Sequence, residues 1–215
     1  VACVVTDTYD NADGVWTELS TVPNGLYSKL LVDGRELRLS EEKWDDYRRG
    51  LDVQTGLWEF RGRSESRGIE VRERRFSSYD DIHLLTSKLE ITTRKDTTLT
   101  VVTGIDGKVW SLNGEHFSHY HPYQEESRGP FPGPFLVGTK TQERGISVVV
   151  AEDITAFVED GKGNTDGIHS EDVATTDRSI FRTLTVELKA GEAFVLEKYV
   201  SAYSSNDLRY HGSMG

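Results

Sequence analysis

Three histidines lie close together in the middle of the chain, in an H-x-x-H-x-H spacing: His116, His119 and His121. On an extended segment His119 and His121 point to the same side. A metal site needs three or four converging ligands and further contacts that orient them. Glutamates are available nearby at Glu115, Glu125 and Glu126. Polar loops that pack on a neighbouring surface also collect histidines, and we predict that no metal and no cofactor is bound.

Paired carboxylates are the residues that glycosidic-bond hydrolysis requires, at ~5–10 Å across a sugar. Adjacent residues on a strand point to opposite faces, so neighbours in sequence do not make such a pair. We therefore interpret the adjacent acids as solvated turns and strand edges: Asp45-Asp46, Asp80-Asp81, Glu125-Glu126 and Glu171-Asp172. No G-x-S-x-G nucleophile motif and no phosphate-binding glycine loop is present. The sequence therefore predicts no catalytic residue.

The histidines belong to an unusual segment, residues 113–135, NGEHFSHYHPYQEESRGPFPGPF. It holds four of the five prolines and several aromatic rings, which are costly to expose without a partner. Loops this long in a compact domain are typically functional or mobile, and we predict that this one is the better functional candidate of the two long loops. Residues 159–179, rich in Gly, Asp and Thr, are interpreted as a solvated excursion.

The four tryptophans, Trp16, Trp44, Trp58 and Trp110, offer flat faces on which a sugar ring can stack. Trp58 shares a strand face with Phe60, which favours the core. We interpret each tryptophan as structural.

The elements that must position these residues are strands, because apolar residues recur with a period of two. Residues 180–188, IFRTLTVEL, alternate in this way, and we predict a hairpin with 192–203. Asp33-Gly34 predicts a second hairpin between LYSKLLV and RELRL. A single short helical turn is predicted at Ser40-Glu41-Glu42. Many strands with polar turns predict an all-β fold, a large two-sheet antiparallel sandwich. Further strands are expected at 57–63, 69–76, 82–93, 97–105 and 146–151.

The composition of the chain limits the kinds of partner that it is expected to bind. The chain has 215 residues, and its net charge of -11 comes from 36 acidic against 25 basic residues. Such a chain is repelled by phosphate backbones and by anionic membranes, so neither nucleic acid nor a membrane is an expected partner. The single cysteine, Cys3, lies in an apolar run and fits a reducing compartment. No apolar stretch approaches the ~20 residues of a membrane-spanning helix.

Four separated runs resemble the N-terminal domain of glycoside hydrolase family 65. They are WDDYRRGLDVQTGLWEFRGRSESRGIEVRERRFSSYDDIHLL at 44–85, TGIDGKVWSLNGEHF at 103–117, TELSTVPN at 17–24 and LEKYVSAYSSND at 196–207. The family includes maltose, trehalose, kojibiose and nigerose phosphorylases and some hydrolases. The resemblance implies a super-sandwich like that of galactose mutarotase. It also implies an (α/α)6 barrel elsewhere in the parent chain, which carries the catalytic residues.

The resemblance implies a non-catalytic domain, residues 1–207, followed by a tail or truncated linker at 208–215. Such a domain helps to shape the sugar site of an enzyme acting on α-glucosidic disaccharides, and it helps that enzyme to assemble. In the family a loop of the sandwich reaches the mouth of the barrel, so the resemblance implies a contact surface within residues 113–131. Its candidate residues are His116, Phe117, His119, Tyr120, His121 and Tyr123, and the alternative is a loop that merely covers one sheet. Its expected partners are the barrel of the same parent chain, a second copy in a homodimer and carbohydrate. The expected location is the cytoplasm. With Val1 first and Met214 the single methionine, we expect a fragment, a processed product or the ordered part of a longer chain. Two alternatives remain open: a free-standing carbohydrate-binding module, and a mutarotase-like epimerase, which would need a converging His–Glu pair in a cleft.

Overall fold

The computed structural model describes residues 3–12, 14–126, 133–160, 162, 165–168 and 172–207. The predicted tail at 208–215 lies outside these residues, as do parts of the two segments expected as loops. The described residues form sixteen strands. They are β1 (Cys3–Ala12), β2 (Trp16–Val22), β3 (Asn24–Val32), β4 (Arg35–Leu37), β5 (Asp46–Asp52), β6 (Leu57–Ser64), β7 (Ile69–Ser77), β8 (Leu84–Thr93), β9 (Thr97–Asp106), β10 (Phe117–Gln124), β11 (Phe135–Thr141), β12 (Ser147–Glu159), β13 (Thr165–Gly167), β14 (Asp172–Thr175), β15 (Ile180–Leu188) and β16 (Ala193–Ser204).

Two antiparallel sheets make up most of the structure, which confirms the predicted all-β sandwich. The large sheet runs in the order β10-β11-β12-β16-β8-β7-β6-β5, and β13 pairs with β12 beside this path. The small sheet runs in the order β14-β15-β9-β3-β4. Strands β1 and β2 form a separate hairpin. No helix in the described part of the chain is both long enough and apolar enough to cross a membrane.

The inward residues of the two sheets form two hydrophobic clusters. One cluster includes Leu99 and Leu184 of the small sheet with Ile91 and Phe194 of the large sheet, all nearly inaccessible to solvent. The other cluster is built around Phe135 and also contains Cys3 and Val22 of the β1–β2 hairpin. Burial of alternate residues on both sheets is the main stabilising contribution expected for a sandwich of this kind.

The hairpin predicted at Asp33-Gly34 is confirmed, since β3 pairs with β4 across these two residues. Both have positive φ, 51° and 73°, as a two-residue hairpin turn requires. The turn expected at Ser40 is also present: the amide of Glu42 donates to the carbonyl of Arg38 at 2.9 Å.

The hairpin predicted between 180–188 and 192–203 is wrong. Strand β15 pairs with β9 and β14 in the small sheet, whereas β16 pairs with β8 and β12 in the large sheet. The turn between them, including Gly191, therefore crosses from one layer of the sandwich to the other. Alternation alone does not distinguish a hairpin from such a crossing, because both produce two amphipathic strands.

The glycines of the GIDG motif have a packing role. Gly104 has φ of 151°, and a Cβ there would lie 2.2 Å from the carbonyl oxygen of Ile180. A Cβ at Gly107 would lie 2.1 Å from the carbonyl oxygen of Arg178. The motif thus allows β9 to approach the start of β15 closely, which is a structural use of glycine.

Candidate functional site

The segment predicted as a long loop contains a strand. Residues Phe117–Gln124 form β10, which pairs with β11 at the edge of the large sheet. Pro122 is tolerated there because an edge strand leaves one row of backbone groups unpaired. The strand carries few apolar residues, so its sequence does not show the alternation of a buried strand. The adjoining part of the predicted loop, 127–132, lies outside the described residues.

The structure divides the six predicted contact residues into two groups. His116 and Phe117 are buried, and Phe117 belongs to the hydrophobic core. His119, His121 and Tyr123 are exposed, and Tyr120 is half-buried. A register shift between Ser118 and His121, with His119 at φ of 54°, marks a bulge that aims these side chains outward. Within the described residues, no three His, Cys, Asp or Glu side chains are placed to hold a metal ion.

His116 ties the β1–β2 hairpin to the rest of the sandwich. Its Nε2 lies 2.6 Å from Oε1 of Glu18, and its Nδ1 lies 3.5 Å from Oδ2 of buried Asp10. Glu18 also accepts bonds from the backbone and side-chain amides of Asn113, both at 2.9 Å. We call Asp10, Glu18, Asn113 and His116 the hairpin clip. His116 is only 2% exposed, so this His–Glu pair is closed to a substrate, unlike the cleft that an epimerase needs.

The clip also sets the charge of Glu18. Partial desolvation raises the pKa of this carboxyl, but hydrogen bonds from His116 and Asn113 outweigh it and hold the pKa below its usual value. Glu18 therefore stays ionised at neutral pH and remains a strong acceptor for the histidine.

Tyr120 packs between the core and Arg178. The Arg178 guanidinium lies over the tyrosine ring, 5.1 Å from its centroid, and also pairs with Glu115. Burial raises the pKa of Tyr120 to about 12, and the Glu115 carboxylate adds to the effect. This contact joins β10 to the turn that precedes β15, so Tyr120 has a structural role as well as an exposed edge.

Two tryptophans interpreted as structural are exposed instead. Trp16 is 64% exposed and Trp110 is 72% exposed, and nearby Leu112 is 90% exposed. Their two segments are joined by the bond from the amide of Thr21 to Ser111 Oγ, 2.9 Å, and by the clip itself. We call Trp16, Trp110 and Leu112 the hairpin-flank patch. Large apolar side chains exposed on two segments that are bonded to each other make this region a candidate interaction surface. Trp44 and Trp58, by contrast, pack against the core as expected.

Sequence reasoning missed a buried ionic cluster between the two sheets. Glu152 on β12 accepts from Arg182 on β15 at 2.8 Å, and Lys198 on β16 lies 3.4 Å from its other oxygen. All three side chains are at most 2% exposed. Lys198 also donates to the carbonyl of Tyr27 at 2.7 Å and to the hydroxyl of Thr103 at 2.8 Å. The cluster therefore connects both sheets in the layer between the two hydrophobic clusters.

A signal for this cluster is present in the sequence. Each charged residue occupies the apolar phase of its strand, as Arg182 does between Ile180 and Leu184. A charge at such a position predicts an internal partner, because an isolated buried charge is too costly. The sequence does not indicate which charged residue is the partner of each buried charge. Desolvation is also the main reason that the pKa of Lys198 falls to about 8.

Comparison with known proteins agrees with the fold and with the motifs. The family model "Glycosyl hydrolase family 65, N-terminal domain" matches residues 2–213. The 1,2-alpha-glucosylglycerol phosphorylase of Bacillus selenitireducens is 37% identical over 210 residues, covering 96% of this chain and 26% of that protein. The nigerose phosphorylase of Lachnoclostridium phytofermentans is 30% identical over 223 residues, covering 93% of this chain and 28% of that protein.

A third relative and a solved structure extend the comparison. The kojibiose phosphorylase of Halothermothrix orenii is 26% identical, covering 97% of this chain and 26% of that protein. A solved chain from the human microbiome, provisionally named a kojibiose phosphorylase, has a TM-score of 0.66 at 14% identity, covering 86% of this chain and 23% of its own. At that identity the likeness shows the fold alone. The chain spans about a quarter of the length of the relatives it matches.

Proposed function

The chain belongs to glycosyl hydrolase family 65 as its N-terminal domain, and from this premise we propose that it is the non-catalytic part of a longer enzyme acting on α-glucosidic disaccharides. The observation that carries the proposal is the match over nearly the whole chain to the first quarter of three phosphorylases. We favour a phosphorylase over a hydrolase for the same reason. The buried free thiol of Cys3 and the absence of a second cysteine support a cytoplasmic location.

The proposed role is to dock the catalytic region and to shape its sugar site. The hairpin-flank patch supports docking, because its apolar side chains are exposed to water in this domain and would be removed from water under a docked partner. The exposed residues of β10, His119, His121 and Tyr123, carry polar tips suited to a sugar or a protein edge. A second copy in a homodimer is a further partner for the same surface.

A domain exchange tests this proposal. The N-terminal quarter of the Bacillus selenitireducens phosphorylase is replaced by this chain, and phosphate consumption with glucosylglycerol is measured. We expect the hybrid to be active and this chain alone to be inactive, with or without phosphate. Turnover by the isolated chain, with maltose, trehalose, kojibiose or nigerose included, would reject a non-catalytic role.

The docking surface is tested in the same hybrid. Trp110→Ala with Leu112→Ala removes exposed apolar area at the patch, and we expect activity to fall at least roughly fivefold as docking weakens. The matched control is Tyr79→Ala with Ile82→Ala, since these side chains are 99% and 81% exposed in the β7–β8 turn. Equal losses in both pairs would show that the patch has no special part in docking.

A further inference from the structure

A concave site lies at one edge of the sandwich, away from the hairpin clip. It is a groove of about 660 Å³ between the β3–β4 end of the small sheet and the inner face of β7 and β8. We call it the sheet-edge groove. Its volume is in the range of small-molecule sites, about 300–1,000 Å³. The groove is open at Ser28. This residue lies on the same face of β3 as buried Leu30 and Val32, yet its side chain is exposed.

Charged side chains on the walls of the groove are already neutralised by one another. Arg75 donates from Nε to Oε1 of Glu73 at 2.7 Å on the large sheet. Across the groove, Arg38 pairs with Glu36 at 2.9 Å and with Glu41 at 3.1 Å, which leaves Glu36 to Lys29 as well, at 3.6 Å. Among the described residues that line the groove, each cation therefore has a carboxylate partner. Donors and acceptors lie side by side, so hydroxyl groups can bond to both members of an ion pair, whereas an anion has to compete with the carboxylates for these cations.

Leucine side chains form another part of the wall. Leu30, Leu37 and Leu89 are each 4% exposed and contribute to the lining together with Leu39. A site that alternates leucine surface with ion pairs fits a ligand that alternates C–H faces with hydroxyl groups. Compact polyols and sugars have this composition.

The inner end of the groove is held rigidly. Ser28 Oγ lies 3.5 Å from Thr103 Oγ1, which in turn accepts from Lys198 Nζ at 2.8 Å. Lys198 belongs to the buried ionic cluster and also bonds the carbonyl of Tyr27, a residue of the groove wall. This chain of contacts fixes the backbone of β3 beside the opening, so the groove does not have to form when a ligand arrives.

We propose that the sheet-edge groove binds a neutral polyhydroxylated ligand of mono- or disaccharide size. This site does not depend on the docking role proposed above, so either proposal can fail without the other. Expected affinity is modest, with a Kd on the order of 1 mM for a monosaccharide, because so few heavy atoms contribute.

Tryptophan fluorescence of this chain provides the readout. Two tryptophans contact residues that line the groove. The Arg75 guanidinium lies 5.2 Å from the Trp58 ring, and Trp44 Nε1 donates to the carbonyl of Leu39 at 3.0 Å. The probes are D-glucose and maltose, with inorganic phosphate as the anionic comparator, and calorimetry confirms the fluorescence titrations. We expect saturable binding of the sugars and none of phosphate.

Variants locate the binding site. Ser28→Phe fills the groove, and we expect it to weaken sugar binding at least about tenfold. Thr185→Phe adds the same ring at an exposed position on β15 of the small sheet and should leave binding unchanged. Because Ser28→Phe could fail to fold, Arg38→Ala at the exposed mouth provides a second test, with an expected loss of roughly threefold or more.

Three results would overturn the proposal: no saturable binding of either sugar at high millimolar concentration, sugar binding that survives both Ser28→Phe and Arg38→Ala, or preferential binding of phosphate. The second result would place a sugar elsewhere on the domain. The third would assign the groove to an anion.

Discussion

At the scale of single residues, the least expected feature is a lysine inside the sandwich. Lys198 is 2% exposed and shares the Glu152 carboxylate with Arg182, so two cations face one anion. Burial of this kind often costs more than the ion pair returns. Desolvation lowers the pKa of Lys198 to about 8 from an ordinary 10.5. The unfolded chain therefore binds more protons than the native protein between these values, and stability rises with pH in that window.

Lys198→Met should remove this pH dependence. We expect the free energy of unfolding of the unsubstituted chain, relative to the variant, to increase by roughly 2 to 3 kcal/mol between about pH 8 and about pH 10. Urea denaturation at several pH values measures it, and Lys43→Met, at an exposed lysine, is the control. The window ends near pH 10 because the lysine of the unfolded chain begins to lose its own proton near its ordinary pKa of 10.5. A pH-independent difference would mean that Lys198 titrates normally.

At the scale of elements, the β1–β2 hairpin is a separate two-stranded sheet that depends on the clip. It contributes Cys3 and Val22 to the core, but it shares no strand pairing with either large layer in the described residues. A lone hairpin is marginal in water. Its attachment therefore relies on packing, on the bond between His116 Nε2 and Glu18, and on the bond that the amide of Arg144 donates to Asp10 at 2.9 Å.

His116→Ala should loosen the hairpin before the sandwich. We expect faster amide exchange in β1 and β2 while the β12–β16 pair stays protected. We also expect a loss of about 2 to 3 kcal/mol in stability, because Glu18 loses its contact with the imidazole and removal of the buried ring leaves a cavity beside Asp10. Hydrogen–deuterium exchange measures both regions. His121→Ala, at an exposed position on β10, should change stability by no more than about 0.5 kcal/mol. Uniform exchange throughout the chain would argue against a separately attached hairpin.

At the scale of the whole molecule, the two sheets are joined by two hydrophobic clusters with the ionic cluster between them. Arg182 comes from the small sheet, and Glu152 and Lys198 come from the large sheet. Arg182 also lies over the Phe135 ring, 3.7 Å from its centroid. The relative position of the two sheets therefore depends on the Glu152 carboxylate, which bonds to cations from both sheets.

Glu152→Gln should therefore be severely destabilising. It leaves two buried cations without a counter-charge, and we expect a loss of about 3 to 5 kcal/mol in guanidinium unfolding at neutral pH. Adding Lys198→Met should recover part of this loss, since one of the two cations is then absent. Glu159→Gln, at the exposed end of β12, is the matched control. If the double variant were no more stable than Glu152→Gln, charge balance would not be the cause.

The two-sheet class could be predicted from the sequence, as could most strand positions, the β3–β4 hairpin and the family. These features were predictable because alternation and turn chemistry are local, and because motifs such as GIDG mark close backbone approaches at particular positions. The sequence did not indicate that β15 and β16 enter different sheets, that His116 is buried while His121 is exposed, or that Glu152, Arg182 and Lys198 meet. Period-two alternation predicts which face of a strand a side chain occupies. Which sheet covers that face depends on the tertiary structure, because the covering residues come from strands far apart in the chain.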